Sequence, residues 1–439
     1  MRLSILNQFV KSSFAIILLL IVFSSQLIIA GENNLTDEVM LDGTVRWRAE
    51  FDGKDFSNST ALNEKSYLRT RLGLKFTSIE NAIVYIQFQD SRNLGVNSSG
   101  LTNDANLGLH QGYIKLSGFP IKNISMQAGR FEAFYGRHRL IGTVGWHNVG
   151  RSFDGVRFSH EKDACKVDLF CLKIDERSFD NPPDHKDWKL FGMHGSFLKK
   201  QLNLFAFYDW DMAKVGDENA LKRYTAGTYL NHSLESGIKF ELDAAFQGGK
   251  QSTIYSHAYT DTTADPDTTA YMNMIANQDI SAFMAAGEIS YKLDSFIDKV
   301  GLGFDITSGD DDVAAAAGND IKSFNNLYYT GHKFRGFMDQ FLGTSSQGLM
   351  DVILRGSLKP SPKSAILIDI HHFQTMKDYQ TSSGGKSKAI GQEIDITGKY
   401  SWQKGLGLQG GASVFIASDD WRADADPALW LYAMITAGF

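Results

Sequence analysis

Arginine recurs at alternate positions near the start of the chain, as Arg46 and Arg48 in VRWRAEF and then as Arg69 and Arg71 in YLRTRLGL. A guanidinium is planar, always charged and forked, so several on one surface suit carboxylated solutes or neighbouring carboxylates. Arg157 and Arg223 extend the set, while Arg130, Arg137, Arg139 and Arg151 crowd a polar stretch around 133–151. Asp243, Asp305, Asp351, Asp369, Glu393 and Asp395 follow with the same alternation. No catalytic spacing accompanies these charges. Ser308, Ser346, His332 and His371 supply the raw material of a hydrolase, but no G-x-S-x-G elbow selects them, and an enzyme is not expected. The chain has no C-x-x-C pair and no H-E-x-x-H helix, so no metal and no cofactor is expected. His371 and His372 point to opposite faces of a strand and cannot share a metal. The run Asp310, Asp311 and Asp312 lacks EF-hand spacing and reads as a solvated loop.

The elements that carry these residues show a period of two. In 45–51 the apolar residues Val45, Trp47, Ala49 and Phe51 alternate with Arg46, Arg48 and Glu50. In 238–247 Ile238, Phe240, Leu242, Ala244 and Phe246 oppose Lys239, Glu241, Asp243 and Gln247. Such segments are strands with an oily face and a charged face, and at about ten residues they match the length of a tilted strand crossing a bilayer. Eighteen can be counted, from 40–53 to 430–438, and their connections alternate between long and short. The fold expected is an all-β transmembrane antiparallel barrel. Its short turns face the periplasm, and its longest loops, 249–279 and 309–347, face the exterior. Phe439 ends the chain in the manner of a barrel-assembly signal. Trp421, Trp430 and Tyr432 are placed in an interfacial aromatic girdle.

Composition agrees. Of 439 residues 12% are aromatic, yet the mean hydropathy is only −0.22; a barrel reconciles the two by turning its rings to lipid. A leader is expected at 1–30, with Arg2 and Lys11 ahead of an apolar run from Phe14 to Ile29, and it is read as cleaved during export. The exported part, 31–439, then carries 42 basic and 50 acidic residues, an excess of acid that speaks against nucleic acid as a partner. Cys165 and Cys171, six residues apart on one strand, lie too far from each other to bridge.

At 128–158 the text AGRFEAFYGRHRLIGTVGWHNVGRSFDGVRF resembles the alginate export family of outer-membrane porins. The resemblance is carried by Gly129, Arg130, Tyr135, Gly136, Arg139 to Gly142, Trp146, Asn148, Arg151, Phe153 to Gly155 and Arg157. Further pieces follow in order: Arg223 to Thr225, Phe246 with Gln247 and Gly249, Ser308 to Asp310, Phe324 with Leu327, His332 with Lys333, Gly336 and Asp339, and Glu393 with Asp395. The resemblance implies an eighteen-stranded barrel passing solutes across the outer membrane, and a founding member that exports a polyuronate through an arginine-rich lumen. Here the expected lumen is mixed, basic on the first strands and acidic on the later ones.

Three questions stay open at this level. The inward arginines either touch solute or form a supporting network with carboxylates. Segment 133–151 is either a constriction folded into the mouth or lumen, or a surface loop locked by Trp146 and Asn148. Arg130 is assigned to the same cluster from the top of its strand, although Ile124, Met126 and Ala128 share its parity. The functional expectation is a passive porin or export channel for small or oligomeric polar solutes such as carboxylated sugars or polyuronates. It is expected to be monomeric, in outer-membrane lipid of a Gram-negative-type bacterium, and delivered by the barrel assembly machinery. The alternatives are a non-conducting receptor or adhesion barrel, or a barrel hydrolase.

Overall fold

The computed structural model describes residues 38–95, 106–176, 186–261, 268–293, 295–311, 320–343 and 345–439, with the side chains of 255–273 excepted. The leader expected at 1–30 and Asp312 lie outside these residues. The first nine strands are β1 (Val39–Gly53), β2 (Asn63–Phe76), β3 (Ala82–Leu94), β4 (Leu107–Ser117), β5 (Ile124–Phe131), β6 (Phe153–Lys162), β7 (Cys165–Asp175), β8 (Trp188–Phe197) and β9 (Leu202–Val215). The other nine are β10 (Glu218–Ser233), β11 (Ile238–Asp261), β12 (Thr268–Lys292), β13 (Ile297–Thr307), β14 (Leu349–Ser361), β15 (Ser364–Gln380), β16 (Lys386–Gln403), β17 (Leu406–Ala417) and β18 (Ala428–Gly438). Each pairs antiparallel with its chain neighbours, and β1 also pairs with β18, so that Trp47 lies between Leu68 and Ile435 and the eighteen-stranded sheet closes.

The period of two acts through burial. On β1, Val45 and Trp47 are 42% and 37% exposed while Arg46 and Arg48 are 5% and 4% exposed. Charge inside and oil outside inverts the order of a water-soluble sandwich, because lipid solvates the outer face and the barrel interior holds the polar one. Two-residue turns join β6 to β7, β14 to β15 and β16 to β17 at one rim, the periplasmic one by the rule for such barrels, and the long connections gather at the other.

Three expectations need correction. Segment 249–279 is mostly not a loop: β11 and β12 continue as a paired ribbon from Ser252 opposite Asn277 to Asp261 opposite Thr268. The two strands satisfy each other's backbone groups, so the pairing outlasts the barrel wall. Segment 309–347 does not simply face the exterior. Its described residues 320–343 turn back inside, where Phe324 is fully buried and Tyr328 bridges to Ile141. The rings do not all face lipid, and Trp430 and Tyr432 are not a girdle. Trp430 is fully buried on the inner face beside Tyr432, while Trp421 packs against Phe56 and Phe415.

The interior therefore contains two apolar clusters. One joins Phe131, Phe153, Phe170 and Phe207 of the wall to Tyr135, Leu140, Ile141 and Phe324 of the loops. The other joins Phe373, Phe415 and Trp430 to Met338 and Phe56. At roughly 1.5–3 kcal/mol for each large side chain taken from water, these clusters are the main reason the loops lie inside.

Candidate functional site

The site is built by two loops crossing the lumen, the β5–β6 loop (132–152) and the β13–β14 loop (308–348). The arginines of β1 and β2 meet the first loop at its backbone. Arg46 donates to the carbonyl oxygens of Gly145 (2.7 Å), Trp146 (3.0 Å) and His147 (3.3 Å). Arg48 donates to Trp146 O at 2.5 Å and pairs with Glu50 at 2.7 Å. Arg69 reaches Gly145 O at 3.1 Å and His147 O at 3.2 Å. Arg71 pairs with Glu132 at 3.0 Å, and Glu132 also meets His110 at 2.8 Å. The segment 145–147 has no regular secondary structure to use its carbonyls, and the guanidinium forks of the wall satisfy them instead.

The opposite end of the same loop is held by ion pairs. Arg137 meets Glu241 of β11 at 2.8 Å. Arg139 meets Asp243 of β11 at 3.3 Å and Asp305 of β13 at 2.5 Å. Burial alone lowers the Arg139 pKa, but the charges and hydrogen bonds of Asp305 and Asp243 outweigh it and the net direction is upward. Arg151 behaves differently. It donates to the carbonyls of Tyr328 and of Tyr329 (3.2 Å), and burial, the leading cause, lowers its pKa. His147, beside the arginines of β1 and β2, is likewise lowered, first by burial and then by Arg48, Arg46, Arg151 and Arg69.

The β13–β14 loop uses the acidic wall. Arg335 pairs with Asp305 at 3.3 Å and donates to Asn326 at 3.1 Å. The backbone N–H of Met338 donates to Glu393 at 2.8 Å and that of Phe337 to Asp395 at 3.2 Å. Gly336, at φ +81°, lies against the Glu393 carboxylate where a Cβ would stand only 2.4 Å from an oxygen, so no side chain fits this turn. Asp351 is held by His371 at 2.8 Å, and Asp369 by Arg355 at 2.8 Å, which also reaches Glu288 at 2.5 Å. Between the loops Trp146 is sandwiched by Arg48, 4.1 Å from its ring centre, and His332, also at 4.1 Å; His332 Nδ1 in turn donates to Asp339 at 2.9 Å.

The remaining sequence candidates fall elsewhere. Arg157 donates to Gln127 at 2.6 Å, and Arg223 pairs with Asp209 at 3.4 Å, both on the inner face. Arg130 is corrected: it shares its strand face with Met126, opposite the buried Gln127 and Phe131, and pairs with Asp154 at 2.6 Å on the outer surface. The ambiguous parity was the warning. Sequence reasoning missed Glu132, Arg335, Arg355 and Glu288. Arg355 shares the parity of Asp351 and was findable; Arg335 sits in a segment read as exterior and carried no such signal. His371 faces inward to Asp351 and His372 contacts Gln392 instead, in line with their opposite parities. Asp310 accepts from the N–H groups of Lys322 and Ser323, and Asp311 pairs with Lys377. Among the described residues no group of three or more His, Cys, Asp or Glu can hold a metal ion, and both cysteines are free.

Comparison with known proteins places this architecture. Solved structures share it: OccAB3 of Acinetobacter baumannii (TM-score 0.59, 11% identity, 92% of this chain and 99% of that one) and OccK8 (OprE) of Pseudomonas aeruginosa (0.58, 13%, 92% and 98%). OpdK of Pseudomonas aeruginosa, solved with vanillate, is similar to the same degree (0.58, 11%, 91% and 98%). At these identities the likeness is one of fold. No curated protein matches the sequence significantly. The alginate export family model matches residues 37–429, nearly the whole barrel including both inward loops, and the chain belongs to the alginate export family.

Proposed function

We infer that the protein is a passive, non-enzymatic channel of the outer membrane for small or oligomeric carboxylated solutes, sugar acids or short polyuronates among them. The observation that carries this reading is the way charge is used at the β1–β2 wall. Arg46 and Arg69 donate to carbonyl oxygens of the β5–β6 loop, whereas the carboxylate partners at this wall go to Arg48 and Arg71. A carbonyl satisfies a donor without cancelling its charge, so the wall keeps a positive field in a lumen of low dielectric, and that field attracts a carboxylate. Membership of a family named for alginate export, and the carboxylate in the OpdK structure, favour the same solute class. The segment 132–152 acts as the constriction. Arg46, Arg48, Arg69 and Arg71 set its position and its field, while Arg157, Arg223, Asp243, Asp305, Asp351, Asp369, Glu393 and Asp395 line the surrounding wall.

The reading includes export by a leader cleaved from 1–30, insertion of 31–439 as a monomer by the barrel assembly machinery, and open passage without a bound cofactor. Reconstitution in planar bilayers tests it. Open-channel steps with an anion-side reversal potential, blocked by uronate oligomers more strongly than by neutral sugars of the same size, are expected. A barrel that inserts and never conducts would sink the reading.

A further inference from the structure

Both loops that cross the lumen end at one carboxylate. Asp305, two residues before the end of β13 and 1% exposed, receives Arg139 from the β5–β6 loop and Arg335 from the β13–β14 loop. Other carboxylates nearby are committed. Asp351, its cross-strand neighbour on β14, is held by His371, and Asp243 pairs with Arg139. Arg335 has two further partners, both uncharged, the Asn326 side chain and the Tyr329 ring 5.8 Å away, and is itself 4% exposed. Its charge is therefore balanced through Asp305. The loops also touch at Ile141 and Tyr328, and the N–H groups of Gly142 and Tyr328 donate to Tyr328 O and Leu140 O respectively. Arg139 and Arg335 stand on either side of that junction and are drawn to the same wall position.

We propose that Asp305 is the positioning residue that locks the two lumen loops to each other and to the barrel wall, and so sets the width and ion preference of the constriction. The proposal rests on the channel reading for its effect on transport, but not for its effect on loop order. A buried carboxylate shared by two guanidiniums is rigid, because each arginine limits the rotamers of the acid for the other. Loss of its charge loosens the junction of the two loops, which the apolar clusters still keep inside the barrel, and leaves Arg335 without a carboxylate partner. A partner of either loop alone, such as Asp243, lacks this reach.

The test uses the full-length barrel with Cys165→Ser and Cys171→Ser, and spin labels at Phe134→Cys and Leu342→Cys, both exposed positions on the two loops. Heat-dependent gel mobility checks that each variant forms a barrel. With Asp305 intact the label-to-label distance distribution is narrow. Asp305→Asn broadens it, Asp305→Glu keeps it narrow, and Asp243→Asn broadens it less. In bilayers Asp305→Asn raises conductance, adds subconductance flicker and shifts reversal potential toward anions. Adding Arg335→Gln removes the anion shift while the distances stay broad. A narrow distribution in folded Asp305→Asn, or an ion-preference shift without broadening, overturns the proposal. If the parent barrel does not conduct, the channel reading fails and the distances still decide the role of Asp305.

Discussion

The two walls that grip the β5–β6 loop do so by opposite chemistry. At β1–β2 the wall supplies the cations and the loop supplies carbonyl oxygens; at β11–β16 the wall supplies carboxylates, and the loops supply guanidiniums and backbone N–H groups. Both arrangements bring buried donors to acceptors. They differ in what happens to charge: the acidic wall is largely neutralised by Arg137, Arg139, Arg335, Arg355 and His371, whereas part of the basic wall is not. The lesson is that a mixed lumen need not be electrically balanced. Counting side chains of each sign misses it, because a backbone carbonyl can hold an arginine without opposing its charge.

That contrast can be broken at the acidic wall with the largest effect. Arg139→Met removes a cation from two buried carboxylates and should cost about 3–5 kcal/mol of barrel stability, measured by urea-dependent unfolding in lipid vesicles. A loss under about 1 kcal/mol would mean that the ion pairs are dispensable for holding the loop. Phe324→Ala tests the apolar grip on the other loop. Its side chain is fully buried between the wall and the β5–β6 loop, and about 3–5 kcal/mol is again expected, with ion preference little changed.

The basic wall should respond in the opposite way. Arg46→Gln with Arg69→Gln keeps amide donors for the loop carbonyls and removes two charges, so stability should change modestly while reversal potential moves toward cations. The shift should be greatest at low salt and shrink as salt screens the lumen. Equal selectivity before and after the change would show that the field comes from elsewhere. The smallest effect belongs to Arg130→Gln. Its pair with Asp154 lies on the outer surface with side chains 40% and 56% exposed, and such pairs contribute about 0–1 kcal/mol. Neither conductance nor selectivity should follow it.

Much of this arrangement was legible in the text of the chain. Alternation set the strand count and turned Arg46, Arg48, Arg69, Arg71, Asp243, Asp305 and Glu393 toward the interior. The pairings were not legible. Arg46 meets a carbonyl 99 positions away and Arg139 a carboxylate 166 positions away, and no local pattern encodes such distances. Trp430 shows the same limit from the apolar side. Its place on the face opposite Leu431, Ala433 and Ile435 was visible, but its contact with Trp146, which a loop brings to meet the pair, was not.

By itself, then, the sequence determined a sheet with an oily and a charged face, because a period of two is a property of each strand alone. It also determined that the charges fall in blocks, basic early and acidic late. Only the tertiary structure decided which of those charges cancel. Closure of the sheet puts β1 and β2 across the lumen from β10 and β11, and two loops then choose their partners by reach. Inside the barrel a buried donor gains from whichever acceptor it reaches, and whether that acceptor is a carboxylate or a carbonyl decides how much of its charge is cancelled.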